Sequence, residues 1–471
     1  MTVRLLAHLG CALALTALAA CASDGGDVDA TGPDAASPDS ADGADAPAPD
    51  VASPDGAGDA DATPASCRSG HRPVVFAHGL LAAGDTWAPH IQRFIENGYC
   101  PDELYRLDWN TLDFDTDTAA AQLDALIAHA LDVTGASQVE LVGHSAGGGL
   151  GYTFTSAPER AALIAHYAHF ASNVQDGPAG ADGQIPTLNV WSEADAIIKD
   201  KGDIPGATNL TLADADHYEV ATRPESFAAL YAFFNDGEAP QTTEITPLEP
   251  IFVSGKVLAL GENLPAASAT VRVYELDAAT GARVGDAVAE VSVDADGAYG
   301  PIEVRSGRPH EFLVSGVTEG GQPLHYYREP FIRTNPAVYL RTLPGPDSLA
   351  GALLDSIPFS DPDQSIIVVF TASQATIAGR DTLTVDGTAL STEALASPAR
   401  TAIAWFLYDA DGDGQSGGTA VPQFASFPFL NAVDTWFEPG GPPVAITFDG
   451  RTLVVPALRA GLDGPVIATF D

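Results

Sequence analysis

Between Arg72 and Asp236 the apolar positions fall into two alternating patterns. Pro73 to Ala77 ("PVVFA") is an unbroken apolar run, as in a strand buried on both faces. Leu104 to Trp109, Gln138 to His144, Leu163 to Ala171, Thr187 to Trp191 and Ala207 to Leu212 predict further strands. Thr86 to Asn97 predicts a helix, with Trp87, Ile91, Phe94 and Ile95 at helical spacing. Asp117 to Val133 predicts a second, with Asp at its start and Gly135 just past its end. Ala146 to Thr155 and Pro224 to Phe234 predict two more. This alternation predicts an α/β fold, a small doubly wound parallel sheet over residues 67–236. A Pro- and Thr-containing linker follows at 237–250. Beyond it the period changes to two: Phe252 to Leu260, Ala269 to Leu276, Val288 to Val293 and Glu311 to Val317 predict a β-sandwich over 251–334. From about Asn335 come "SIIVVF", "TLTV", "TAIAWFLY" and the hairpin "VAITFDGRTLVV", whose Asp449-Gly450 is a two-residue turn signal. They predict a second all-β sandwich or barrel domain over 335–471, a single larger β domain being the alternative.

The first 66 residues carry neither pattern. Residues 1–21 read as an export signal: Arg4, then an apolar run from Leu5 to Ala20 ending in small residues. The end of the run, Leu18-Ala19-Ala20-Cys21, resembles the lipobox of bacterial lipoproteins. That resemblance implies cleavage before Cys21, its acylation, and anchoring to the cell envelope, with Ala22 rather than the retention-type Asp pointing to the outer membrane. The alternative is a plain signal peptide and a secreted protein. Residues 22–66 are mostly Asp, Ala, Pro, Gly and Ser, with no Lys, Arg or aromatic residue, which predicts a disordered acidic tether.

The net charge of −42 argues against nucleic acid as a partner, because phosphate contacts need Lys and Arg. It equally argues against adhesion to anionic head groups by charge alone. Of four cysteines, Cys11 lies in the signal and Cys21 at the proposed lipid site, leaving Cys67 and Cys100 to pair in an oxidising compartment. Two unrelated buried thiols are the alternative.

Candidate chemistry centres on "VELVGHSAGGGL", Val139 to Leu150, in which Gly143-His144-Ser145-Ala146-Gly147 follows a predicted strand and opens a predicted helix. A sharp strand–turn–helix needs glycines around the serine, and it presents the hydroxyl at the carboxyl edge of the sheet. With 46 glycines in 471 residues the pentad also arises by chance, and Gly414-Gln415-Ser416-Gly417-Gly418 is a second match. Ser416 lacks the following helix and has no histidine after it. Ser145 needs a base and an orienting acid, in the chain order Ser, acid, His. Of the histidines after it, His166 and His169 fall in a predicted strand and His310 and His325 in the β region. His217, in "DADHYEVA", lies in the loop before the last helix, where a general base belongs. Asp195, in "WSEAD" just past a strand, is the acid, with Glu193, Asp176 and Asp182 as competitors. The amides of Ala146 and of Leu80, after Gly79, are the expected oxyanion donors. His78 reads as a structural loop histidine.

"VVFAHGLLAAGDTW", "VELVGHSAGG", "VWSEADAII" and "ADHYEVAT" together resemble bacterial lipases and esterases of the α/β-hydrolase superfamily, over about Pro73 to Phe234. The β region resembles the C-terminal module of two-domain lipases. The resemblance implies hydrolysis of lipid-like esters through an acyl-enzyme, with no cofactor required for catalysis. A polyester or polyhydroxyalkanoate depolymerase with the same triad is the close alternative, and a non-catalytic surface binder the distant one. Leu80, Leu81, Trp87, Ile197 and Ile198 are candidates for an apolar acyl site, with packing against helices as the alternative, above all for Trp87. Outside this domain, Asp409, Asp411 and Asp413 alternate as in calcium loops. The twelfth position is Ala420, however, so a solvated acidic turn is the default beside a structural calcium. "FASFPFLNAVDTWF" reads as β core rather than a lipid-facing surface.

Overall fold

The computed structural model describes residues 67–113, 115–317, 321–425 and 427–471. The export signal, Cys21 and the tether lie outside the described residues. Six strands, β1 (Val74–Ala77), β2 (Leu104–Leu107), β3 (Val139–His144), β4 (Ile164–Phe170), β5 (Thr187–Ser192) and β6 (Thr208–Leu212), form one sheet in the order β2-β1-β3-β4-β5-β6. Every pairing is parallel. The helices α1 (Ala88–Glu96), α2 (Thr116–Thr134), α3 (Ala146–Thr155) and α4 (Pro224–Phe234) cover both faces. β1 shows why its apolar run is unbroken. Val74 and Phe76 pack with Ile91 and Phe94 of α1 and Phe227 and Leu230 of α4. Val75 and Ala77 pack oppositely, with Leu123 and Ile127 of α2 and Leu150 and Phe154 of α3. The Asp115 side chain caps α2 by accepting from the amides of Asp117 and Thr118, and Gly135 ends it at φ 71°. The doubly wound α/β fold is the one the alternating pattern predicts.

The chain leaves β1 for β2 on one side and returns as β3 on the other. The carboxyl ends of β1 and β3 therefore form the crevice where ligands bind in such sheets. Ser145 and the loop after Ala77 both stand there.

The β region contains fifteen strands in three sheets. β7 (Ile251–Ala259) lies between β10 (Ala298–Val304) and β13 (Leu340–Thr342). The largest sheet brings together β8 (Thr270–Glu275), β9 (Ala289–Ser292), β11 (His310–Ser315), β12 (Leu324–Arg328), β14 (Ile367–Thr371), β17 (Ala404–Tyr408), β18 (Leu430–Asp434) and β21 (Val466–Phe470), in the order β18-β17-β14-β21-β12-β11-β8-β9. The third holds β15 (Leu383–Val385), β16 (Thr388–Ala389), β19 (Val444–Phe448) and β20 (Arg451–Val455). β12 pairs in parallel with β21, so strands from both sides of residue 335 share one sheet. Asp449 and Gly450 sit at φ 47° and 80°, as a two-residue turn between β19 and β20 requires. A short helix, α5 (Leu349–Leu354), lies between β13 and β14; no sequence pattern announced it.

Residues Arg68–Asp471 make one compact unit. Asn97, at the end of α1, exchanges hydrogen bonds with Thr242 at 2.8 and 3.1 Å, so part of the 237–250 stretch packs on the α/β layer. Cys67 and Cys100 are both disulfide-bonded. Replacing both by alanine is expected to lower unfolding free energy by about 3–4 kcal/mol, the chain-entropy value for a loop of this length, read from denaturant unfolding. Among the described residues no helix is long and apolar enough to cross a membrane.

Candidate active site

Ser145 stands between β3 and α3 with φ 55° and ψ −119°, a strained backbone that a nucleophile turn adopts. The flanking glycines are there for want of space. A Cβ on Gly143 would lie 2.3 Å from the Gly147 carbonyl oxygen, and one on Gly147 would lie 2.4 Å from that of Ala77. Gly79 brings the loop after β1 against the same turn, since a Cβ there would lie 2.8 Å from the Ser145 Cβ. The amides of Leu80 and Ala146 donate to no described residue. The Ala146 amide stands at the N-terminus of α3, where backbone N–H groups have no partner within the helix.

His217 and Asp195 meet across the adjoining loops. His217 Nδ1 lies 2.8 Å from Asp195 Oδ2, and Asp195 Oδ1 accepts from the amides of Ile197 (2.8 Å) and Ile198 (3.1 Å). Burial opposes ionisation of Asp195, but His217 and the two amides outweigh it and hold the carboxyl below its ordinary value. An ionised carboxylate only accepts, so Nδ1 carries the hydrogen and Nε2 presents its lone pair. His217 Nε2 is buried and has no partner among the described residues. The loop is tied to the serine turn: His144 Nε2 donates to the His217 carbonyl at 2.9 Å, and the two rings lie 4.8 Å apart. Burial, then the neighbouring His217, lowers His144 to about 3, which keeps it neutral and able to hold this bond.

The competing candidates stand elsewhere. Glu193, Asp176 and Asp182 are exposed. His166 pairs with Glu140 at 2.9 Å, His169 with the Asn173 carbonyl at 3.0 Å, and His325 with Glu311 at 2.7 Å. Ser416 is held on an exposed loop by the Trp436 amide at 2.9 Å. His78 is buried and bonded through Nδ1 to the Gly79 carbonyl at 2.9 Å, bracing the loop after β1. The Asp409, Asp411 and Asp413 carboxylates lie within 4.8 Å of one another. Asp409 accepts from the amides of Gly412 at 2.9 Å, Asp413 at 3.2 Å and Gly414 at 2.9 Å in its own loop.

The β region supplies parts that no local pattern announced. Asn263 donates to the carbonyls of Ala82 and Trp109, both at 2.9 Å, bracing the loop after β1. Arg341 clamps Asp85 in that loop with two bonds of 2.7 and 2.6 Å. Phe429, at φ 70°, stacks on the His217 ring at 5.7 Å. Arg380 bonds Asp216, beside His217, at 2.8 Å and Glu219 at 2.6 Å, and the Ala375 amide adds a 3.0 Å bond to Asp216. Without Arg380, two buried carboxylates beside His217 would share only Arg223, which reaches Glu219 at 2.9 Å. Arg380→Met is expected to lower kcat about ten- to hundredfold with KM nearly unchanged, and Arg380→Lys to recover part of the loss, measured with a soluble ester.

A largely apolar cavity opens beside the loop after β1 and Phe429. Leu80, Leu81, Tyr218 and Phe429 line the end next to the His217 loop, and strands of the largest β-sheet form much of its wall. Of the five acyl-site candidates, Leu80 and Leu81 line it. Trp87 instead packs in the core with Phe76 and Phe94, and Ile197 and Ile198 serve as amide donors to Asp195. The aromatic stretch divides: Phe424 and Phe437 are core, whereas Phe429 belongs to the site.

Sheet order, nucleophile-type turn and crevice together define the α/β-hydrolase class. Residues 71–153 match the family model of class 2 lipases, and residues 249–343 that of the lipase C-terminal domain. A further model, of a C-terminal domain, matches 370–452. The chain is thus lipase-like in both its catalytic and its β parts. Among solved structures it is similar to a lipase of Bacillus licheniformis, at 16% identity over 36% of this chain and 96% of that one, TM-score 0.29. A naproxen esterase of Bacillus subtilis matches at 15% identity over 36% and 86%, TM-score 0.28. An α/β hydrolase from a lagoon-sediment metagenome matches at 17% identity over 36% and 93%, TM-score 0.28.

Proposed function

We propose that this protein is a serine carboxylic ester hydrolase acting on water-insoluble, lipid-like esters. One observation carries the reading: a buried imidazole, oriented by a buried carboxylate, holds its free lone pair in the loop bonded to the strained serine turn. In this mechanism Ser145 Oγ attacks the ester carbonyl carbon while its proton passes to His217 Nε2. The Leu80 and Ala146 amides stabilise the resulting oxyanion. Collapse expels the alcohol, which takes the proton from Nε2 and leaves an acyl-enzyme on Ser145. Water, activated by the same imidazole, then releases the acid. Asp195 fixes the Nδ1–H tautomer and stabilises the imidazolium. The apolar cavity beside Leu80 and Leu81 supports an acyl chain of lipid type rather than a small acid.

The same reading places the protein outside the cytoplasm, held to the cell envelope through an acylated Cys21 with residues 22–66 as a spacer. Incorporation of labelled palmitate, lost in Cys21→Ser, tests the anchor. A series of p-nitrophenyl esters tests the function: kcat/KM should rise with acyl length through the range the cavity can hold. A protein inert toward every member would be a surface binder instead.

A further inference from the structure

Phe429 has an unusual backbone for a buried apolar residue. Its φ of 70° lies in the left-handed region, which a bulky L side chain adopts rarely and at a cost. The neighbouring chain holds it there. Its amide donates to the Arg400 carbonyl at 2.9 Å, and its own carbonyl accepts from the amides of Ile403 at 2.8 Å and Ala404 at 3.0 Å. The Arg400 guanidinium ties the loop on both sides of Phe429, with Nη2 donating to the carbonyls of Phe424 at 2.8 Å and Leu430 at 3.1 Å. These bonds fix a strained backbone, and what they place is a phenyl ring. The ring is buried and stacks on the His217 imidazole, with centroids 5.7 Å apart and planes 27° apart.

In the proposed mechanism that imidazole becomes a cation when it takes the serine proton. His217 is itself buried, so water is poorly placed to solvate the charge. Asp195 answers it along one edge, at Nδ1. The Nε2 edge must stay free for the proton. The faces of the ring are left to its neighbours. His144, at 4.8 Å, is held neutral by burial and spends its Nε2 hydrogen on the His217 carbonyl. The Asp216 carboxylate, next in the chain, is taken by Arg380 and by the Ala375 amide. Phe429 presents the negative face of its π system, and a cation within about 6 Å of such a ring is attracted to it. A neutral imidazole feels little of this attraction. It therefore grows as the transition state forms, which is when it can raise the rate.

We infer that Phe429 is a positioning residue for the reaction at Ser145, fixing the plane of the His217 imidazole and stabilising the imidazolium through its π face. This inference rests on the hydrolase reading and deepens it. A residue that only filled space could be exchanged for any side chain of the same shape. One that acts through its π electrons could not.

The test replaces Phe429 by its mono-, di- and trifluorinated analogues, which keep the shape of the ring while draining negative charge from its face. With a soluble p-nitrophenyl ester, kcat should fall stepwise along the series, by about five- to thirtyfold at the trifluorinated ring, and KM should hardly move. Phe429→Leu should lose about as much, whereas Phe429→Tyr, which keeps the π face, should stay within about threefold of the wild type. Circular dichroism checks that each variant is folded. A flat fluorinated series in an active protein, or a loss carried by KM, would overturn the role of Phe429 and leave the hydrolase reading standing. A wild type that hydrolyses no ester would overturn both.

Discussion

Ser145→Ala is expected to abolish ester hydrolysis, with a fall in kcat on the order of a millionfold, while the protein remains folded. The size follows from the way a triad works. Removing the attacking oxygen leaves only the amide donors and binding to act on a water, and loss of one member of the unit costs nearly as much as loss of all. Folding should survive because the substitution removes a single oxygen from a turn whose geometry is set by Gly143 and Gly147. A steady-state assay with a p-nitrophenyl ester, alongside circular dichroism, measures both. Retained activity with Ser145→Ala, together with loss in Ser416→Ala, would transfer the role to the second pentad.

The second large effect belongs to the acid. Asp195→Asn should lower kcat by about four orders of magnitude although the side chain keeps its size and burial. The carboxylate accepts from His217 Nδ1 and so leaves the lone pair on Nε2. An amide in its place can turn its NH₂ toward Nδ1, which moves the hydrogen to Nε2 and removes the base. The two backbone bonds from Ile197 and Ile198 favour that flip, because they hold the amide oxygen on their side. A rate near that of the wild type would move the role to another carboxylate. Glu193, Asp176 and Asp182, the other candidates, are all exposed.

Much of the catalytic half could be read from the chain because its signals are local. The unbroken run at Val74–Ala77, the punctuation of α2 by Asp115 and Gly135, and the glycines around Ser145 each leave a mark within a few residues of sequence. This holds even where the contact that requires it is distant, as for Gly147 against the Ala77 carbonyl. Chain order then pointed to His217 and Asp195, since strand ends in a parallel sheet face one crevice. What the chain did not disclose arises from contacts across long separations. Arg380 reaches Asp216, Asn263 reaches the loop after β1, and Phe429 covers His217, none with a pattern in its own neighbourhood. Trp87 stood open between acyl site and core for a related reason: close to the loop after β1 in sequence, it turns inward and packs in the core with Phe76 and Phe94. The shared eight-stranded sheet was equally hidden, because parallel pairing of β12 with β21 joins segments from opposite ends of the β region.

The β region therefore adjoins the proposed site. It braces the loop after β1 through Asn263 and Arg341, holds the His217 loop through Arg380, and walls the cavity. The sharpest measurement concerns the nucleophile itself. Treating the full protein with a fluorophosphonate and mapping the adduct by mass spectrometry should place one phosphonyl group on the peptide containing Ser145, with labelling slowed strongly in His217→Ala. A protein that stays unlabelled, or carries the group on any other residue, would contradict the account.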